Sequence, residues 1–436
     1  MDPRPLSLSS YWRLIRGNRN FRLLWMAQIV SEVGDWLYAV AIYSLLLELT
    51  GTAKSVATAV VLQVLPQVFI APMAGVINDC VSRRKVMIMA DLVRACIVLC
   101  MPFVARVEFV PALYSLLFLE TVMWAFFEPG RTAMIPSVTK NESDTVVANA
   151  LSSTTWSFNL AFGSTVGGAI AVLFGRTSVF CINAATFLLS AAILRSIRLE
   201  ETHLTNVEPF RLRNLFDFSP IFEGLRYVRS NTRLLATLFV KAGLGFMGAH
   251  WVILPILGER TFPVGMDELG AQRAGMLGMS LLLGARGVGA LIGPLVGGYF
   301  AGRDPKRLRR GILCGFLSIA AGYLALTFAP SIWAAAACVV VAHAGGSIIW
   351  VFSTTLLHFQ TDDRFRGRVF SVDFSFLTLS MSIVIYTGGI LVDSGMSVRA
   401  LAFGTGLLAF VPAALWLYGQ RLWREAPEIR EKKGAA

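Results

Sequence analysis

GVINDCVSRRKVM, residues 75–87, interrupts a long apolar run with an aspartate and three consecutive cations, then returns at once to apolar residues. The same alternation recurs along the chain. Apolar stretches near the twenty-residue length that crosses hydrocarbon as a helix are separated by charged connections. Hydrophobic residues make up 55% of the 436 and charged residues only 15%, where a soluble domain carries about 25% charged; the mean hydropathy is +0.63. The apolar runs lie at 23–48, 55–77, 86–105, 110–131, 147–174, 177–195, 233–257, 274–301, 311–329, 331–357, 368–392 and 398–419. They predict an all-α membrane protein of twelve transmembrane helices with no room for a separate soluble domain. The first twenty residues lack an apolar core followed by a small-residue cleavage site, so the first span is expected to stay in the mature protein.

The formal charge of +12 invites a nucleic-acid reading, but the distribution of the cations argues against it. With the amino terminus placed in the cytoplasm, only Lys54, Arg106, Arg176, Arg260, Arg273 and Arg399 of the 39 Lys and Arg residues fall on the opposite side. Arg94, Lys241 and Arg286 lie within spans, and the other 30 face the cytoplasm. This positive-inside bias predicts cytoplasmic termini and a lipid bilayer, not nucleic acid, as the surroundings. The longest connection divides the chain into a six-helix bundle at 1–195, a cytoplasmic linker at 196–232, and a second bundle with a short basic tail at 233–436. Within the linker, SPIFEGLRYVRSN (219–231) puts Ile221, Leu225 and Val228 on one helical face and Glu223, Arg226 and Arg229 elsewhere. That suits a helix lying on the membrane surface, with a plain solvated linker as the alternative. A weak repeat relates the halves: APMAG (71–75) and GPLVG (293–297) each precede a basic loop, although Ala301 stands where Asp79 would. Such repeats build transporters from two bundles. The six cysteines form no metal-ligand spacing and read as small packing residues; no metal site or cofactor is expected.

Gly75, Asp79, Arg83, Arg84 and Lys85, between spans two and three of a twelve-span chain, resemble the signature loop of the major facilitator superfamily, G-x-x-x-D-(x)n-R-R/K. The glycine usual between the aspartate and the basic pair is replaced by Cys80, Val81 and Ser82. NRNFRLLWMAQIVSEVGDWL (18–37), FFEPGRTAMIPSV (126–138), ANAL (148–151), EGLRYV (223–228) and RFRGRVFSV (364–372) are similar to the branch that contains macrolide and enterobactin exporters and, more distantly, lysophospholipid transporters. The resemblance implies two six-helix bundles, alternating access and an inner-membrane location. It also implies that Asp79 meets the start of span eleven near Arg368. Arg83 or Arg84 can pair with Glu128, so that the loop latches the cytoplasmic side; the plain alternative is that these cations only set orientation.

Ionisable groups inside the membrane are candidates for function because each is costly there unless paired or hydrated. Glu32 and Asp35, at i and i+3 in span one, are expected to raise each other's proton affinity. Asp35, about thirteen residues into its span and so roughly 20 Å along it, is the first choice for ion coupling; capping or bonding a neighbouring span is the alternative. Arg94 and Glu120 can form a buried pair, with Asp91 competing for the same arginine. Arg286 can neutralise Asp373 or meet an anionic group on a substrate, and Asp373 reads as a gate or cap residue. His250 and His343 read as packing residues. Trp124, Trp156 and Trp350 are the best candidates to line a cavity for a large amphipathic ligand. GLGFMG (243–248) lies in an apolar span with no preceding strand and is no dinucleotide site. Gly163–Gly167 and Gly289–Gly293–Gly297 have the spacing that lets helices approach closely.

No catalytic constellation and no ATP site appear, so the chain reads as a secondary transporter and not an enzyme. The expected function is export of a bulky amphipathic compound in exchange for protons, with sodium as the other coupling ion, by a monomer. Siderophore export and lysophospholipid movement are the alternatives within the class. A receptor or sensor of the same fold is the alternative outside it, and the short tail argues against that.

Overall fold

The structure, a computed structural model, describes residues 8–139, 141–199, 201, 204, 219–229, 231–302 and 304–425. Among them twelve helices are long and apolar enough to cross a bilayer: Arg19–Thr50, Ala53–Cys80, Arg83–Val104, Val107–Val138, Glu142–Phe174, Arg176–Arg195, Arg233–Thr261, Ala271–Ala301, Pro305–Thr327, Ile332–Gln360, Arg366–Asp393 and Val398–Arg421. They are spans one to twelve in chain order. Each predicted apolar run overlaps one of them, and no strand occurs among the described residues. Large apolar side chains such as Phe103, Leu173, Phe174 and Ile383 stand on the outer surface, as lipid-facing positions require. Cys96, Cys100, Cys181 and Cys314 are exposed there too. This corrects their reading as packing residues: a small thiol is tolerated by lipid as readily as by a core. The chain is a multi-pass membrane protein.

Local chemistry starts, stops and bends these helices. Asn18 accepts a hydrogen bond from Phe21 N and caps span one, which ends at Gly51, where φ is +69°. Pro66, with no N–H to donate, interrupts span two after Val64. Span seven passes through a 3-10 turn at Phe246–Ala249 and a π turn at Leu257–Thr261, both departures from regular helix of the kind found near functional sites.

Because the number of spans between them is even, the amino-terminal helix Leu8–Gly17, the start of the linker and the end of span twelve lie on one face, called here the linker face. The linker helix Ser219–Arg229 rests on the start of span eleven, with Val228 buried among Leu234, Leu238, Val369 and Val372. Gly224 sits so close to Arg368 O that a Cβ would lie 2.7 Å away. Leu225, expected on the same face as Val228, is exposed with Phe222. Residues 200, 202, 203, 205–218 and 230 of the linker, and the tail from 426, lie outside the described residues.

The two halves meet on the far face. Asp393, at the end of span eleven, accepts from the backbone N–H groups of Ala53 (2.7 Å) and Lys54 (2.9 Å) at the start of span two. Thr52 provides no side-chain cap there, so the second half caps a helix of the first. Arg260 donates to Gly51 O at 2.8 Å, and Glu48 receives both Arg176 and Gln272. Spans five and eight touch from the far face to mid-membrane, where a Cβ on Gly287 would lie 2.3 Å from Ala161 N. Asp393, Arg260 and Gln272 thus join the second half to the first by hydrogen bonds.

On the linker face the charged groups pair within their own half. Asp79 meets Arg83 at 3.2 Å, not the start of span eleven. Arg368 meets Glu223 at 2.7 Å. Arg83 also donates to Ala133 O (3.0 Å), Arg84 donates to Ile197 O, and Glu128 is taken by Arg131. The expected contacts of Asp79 near Arg368 and of Arg83 or Arg84 with Glu128 are therefore absent, because the halves stand apart on this face and each charge finds a local partner. The turn without its glycine is built from Val81 in extended conformation and Ser82 as the next cap. Glu201 of the linker supports it by accepting from Ser82 Oγ (2.8 Å) and Arg83 N (3.0 Å). Gly75 has open space where a Cβ would stand. Among the described residues the hydrogen bonds given above between the halves thus lie on the far face, and the linker-face ion pairs named above each stay within one half, the pattern of a molecule parted on the linker face.

Candidate functional site

The first half holds one buried cation surrounded by acids. Arg94 of span three contacts Asp35 of span one at 2.6 Å, Glu120 of span four at 2.7 Å and Asp91, one turn earlier, at 3.6 Å. Its guanidinium lies 4.0 Å above the Phe187 ring of span six, and Ser31 touches both Arg94 and Asp91. One guanidinium against three carboxylates leaves two negative charges in excess when all are ionised. Protons taken up by the carboxylates can cancel that excess in an environment where unbalanced charge is costly. Asp35 is the member with an opening: its side chain is 19% exposed, against 0% for Asp91 and 6% for Glu120.

Glu32 belongs to a different network. It accepts from Gln28 (2.9 Å) and from Asn159 of span five (3.0 Å). Gln28 in turn accepts from Arg131 (3.1 Å), which also pairs with Glu128. The expected mutual effect of Glu32 and Asp35 is thus replaced by two separate partnerships. Residues three apart point about 60° apart around a helix, and here one carboxylate turns to span five and the other to span three. Arg131, Gln28 and Asn159 were not among the sequence candidates. The apolar run of span four stops at 131, which puts Arg131 at its cytoplasmic end, whereas the helix continues to Val138 and buries it.

A hydrogen-bond chain leads from the acidic cluster to the junction of the halves. Tyr38 donates to Glu120 (3.3 Å), Gln63 donates to Tyr38 (3.1 Å), and Tyr43 donates to Gln63 (2.7 Å). The Tyr43 ring stands edge-on to Trp251 of span seven at 6.3 Å. Trp251 stacks on Trp36 of span one at 6.2 Å, and Trp36 meets Trp156 edge-on at 5.6 Å. Arg286 of span eight lies 4.0 Å above Trp251. His250 and His343 are not isolated: their rings are 4.9 Å apart, and His343 bonds Tyr323 at 3.2 Å.

Asp373 is paired with Lys241 at 2.6 Å, not with Arg286. Lys241 also donates to Thr354 and lies 4.5 Å above the Trp350 ring. Trp350 thus borders buried charge and Trp156 packs on Trp36, while Trp124 is half-buried on span four. Among the described residues no cluster of His, Cys, Asp and Glu is arranged to hold a metal ion.

Two bundles sealed at one end and parted at the other, with intramembrane charges at their junction, are the build of an alternating-access carrier. A family profile described as transmembrane secretion effector matches residues 10–427. The chain belongs to the major facilitator superfamily. As a member it is a transporter and not an enzyme. It is similar to macrolide efflux protein A of Streptococcus pyogenes, with 24% identity over 387 residues covering 88% of this chain and 90% of that protein. Likeness to the multidrug efflux pump Tap of Mycolicibacterium fortuitum is also 24%, over 408 residues, covering 91% and 95%. The fold matches a bacterial homologue of the human lysosomal transporter Spinster, solved inward-facing and unoccupied, with a TM-score of 0.68, 14% identity and coverage of 97% and 100%.

Proposed function

We propose that this transporter exports a bulky amphipathic compound across the cell's inner membrane in exchange for protons. The cation count supports a cytoplasmic linker face, on which reading the opening receives cargo from inside. The observation that carries the reading is Arg94 held by three carboxylates, of which Asp35 alone has an opening. Protonation of Asp35 would loosen its hold on Arg94 and let span one move relative to span three. Release of the proton would restore the pair, which ties proton transfer to a change of shape. The names of the relatives, macrolide efflux protein A and multidrug efflux pump Tap, favour drug-like cargo over siderophores or lysophospholipids.

The test is reconstitution in liposomes containing a pH dye, with a macrolide, a catecholate siderophore and a lysophospholipid added in turn under an imposed pH gradient. Proton movement triggered by one of the three and lost in Asp35→Asn is the expected result. Normal gradient-driven accumulation by Asp35→Asn would sink the coupling role.

A further inference from the structure

Arg286 differs from the other deeply placed cations of the transporter. Arg94 has Asp35, Asp91 and Glu120, Arg131 has Glu128, and Lys241 has Asp373. Arg286 is 8% exposed, and among the described residues it forms no ion pair or hydrogen bond. Its Nη1 is sealed from solvent without a partner. A guanidinium carries five N–H donors, and one buried with no counter-ion is strongly disfavoured. Stacking on Trp251 and the approach to Trp36 at 5.7 Å stabilise the charge but satisfy none of its hydrogen bonds.

A second unpaired group lies beside it. His250 donates from Nδ1 to Met247 O at 2.7 Å, and its Nε2 is buried with no partner. Its ring packs 5.1 Å from the same Trp251 that Arg286 covers. Two buried polar groups with open valences thus converge on one aromatic platform. Trp36 supplies that platform from the first half, and Trp251 and Arg286 from the second.

We propose that Arg286 is the docking point for an anionic group on the cargo, with His250 Nε2 beside it left to accept from a hydroxyl or N–H of the same ligand. The ligand class is an amphipathic anion whose carboxylate or phosphate meets the guanidinium while its apolar body lies against Trp36, Trp156 and Trp251. The proposal rests on the export reading and narrows its substrate class. Both halves hold such a ligand, so binding is sensitive to their relative position.

The test uses purified full-length protein in detergent and equilibrium binding by calorimetry, with no pH gradient. The probes are N-benzyloxycarbonyl-dialanine against its methyl ester, and lysophosphatidylglycerol against lysophosphatidylcholine. Wild type is expected to bind at least one anionic member about tenfold or more tightly than its partner. Arg286→Met should erase that preference, and Arg286→Lys should keep part of it. A preference within the first pair assigns a soluble carboxylate, and one within the second assigns a lipid headgroup. Absence of any preference for the anion, including binding of no probe, overturns the proposal. So does a ligand-free Arg286→Met protein that melts well below wild type, since that would give the arginine a structural task. Because no gradient is present, a negative result leaves proton coupling standing, and a negative liposome experiment leaves an anion preference standing.

Discussion

Arg94 does for the first half what a metal ion does elsewhere: it holds side chains from three helices to one point. Replacing it by leucine would strand Asp35, Asp91 and Glu120 without a cation in a low-dielectric interior, at a cost of about 3–5 kcal/mol. Arg94→Leu is therefore expected to melt several degrees below wild type in detergent, and Arg94→Leu with Glu120→Gln to recover part of the loss. Equal melting of wild type and Arg94→Leu would show that the arginine does not hold the cluster. The Arg94–Glu120 pair was legible in the sequence because a carboxylate and an arginine stood at matching depth on consecutive antiparallel spans, with Asp91 one turn away, but the membership of Asp35, read beside Glu32, was not. Nor was the Glu32 network. Its arginine is the last residue of the apolar run that marked span four, where it reads as a cytoplasmic cation, and Gln28 and Asn159 carry no charge to draw attention. Likewise, nothing in the spacing of His250, His343, Tyr323 and Arg286 indicates that four spans would fold them around Trp251.

At the scale of the element, helix ends carry the charged contacts that either join the halves or stay within one of them. The loop of residues 75–87 was readable as a charged connection, yet its partners were not, because they depend on which face of the molecule is open. In this state Asp79 and Arg83 satisfy each other and Glu201 supports the turn. Asp393 is the corresponding contact on the far face, and its sequence setting, at the end of an apolar run, gave no reason to select it. Loss of a capping carboxylate costs about 1 kcal/mol. Asp393→Ala is thus expected to shift the population about fivefold toward opening of the far face. Accessibility of an engineered far-face cysteine to a membrane-impermeant label, in a background free of the native cysteines, checks this. Unchanged labelling would reduce Asp393 to a local cap with no part in closure.

In the whole molecule the two halves divide the electrostatic work. The first concentrates acid around Arg94, the second presents Arg286 without a counter-ion, and the chain Glu120–Tyr38–Gln63–Tyr43 runs between them. Twelve spans and their division into two bundles followed from hydropathy and cation distribution, which act over many residues and tolerate local error. Which face is closed did not follow, since one sequence must support both arrangements. The cap on span two gives that equilibrium a local signature. Because its first amides are bonded by the opposite bundle and not by Thr52, separation of the halves on the far face must leave the beginning of that helix to fray. Deuterium uptake at residues 53–57 should therefore slow whenever the far face is shut and quicken when it parts, so the access state can be followed at a few amides without any label.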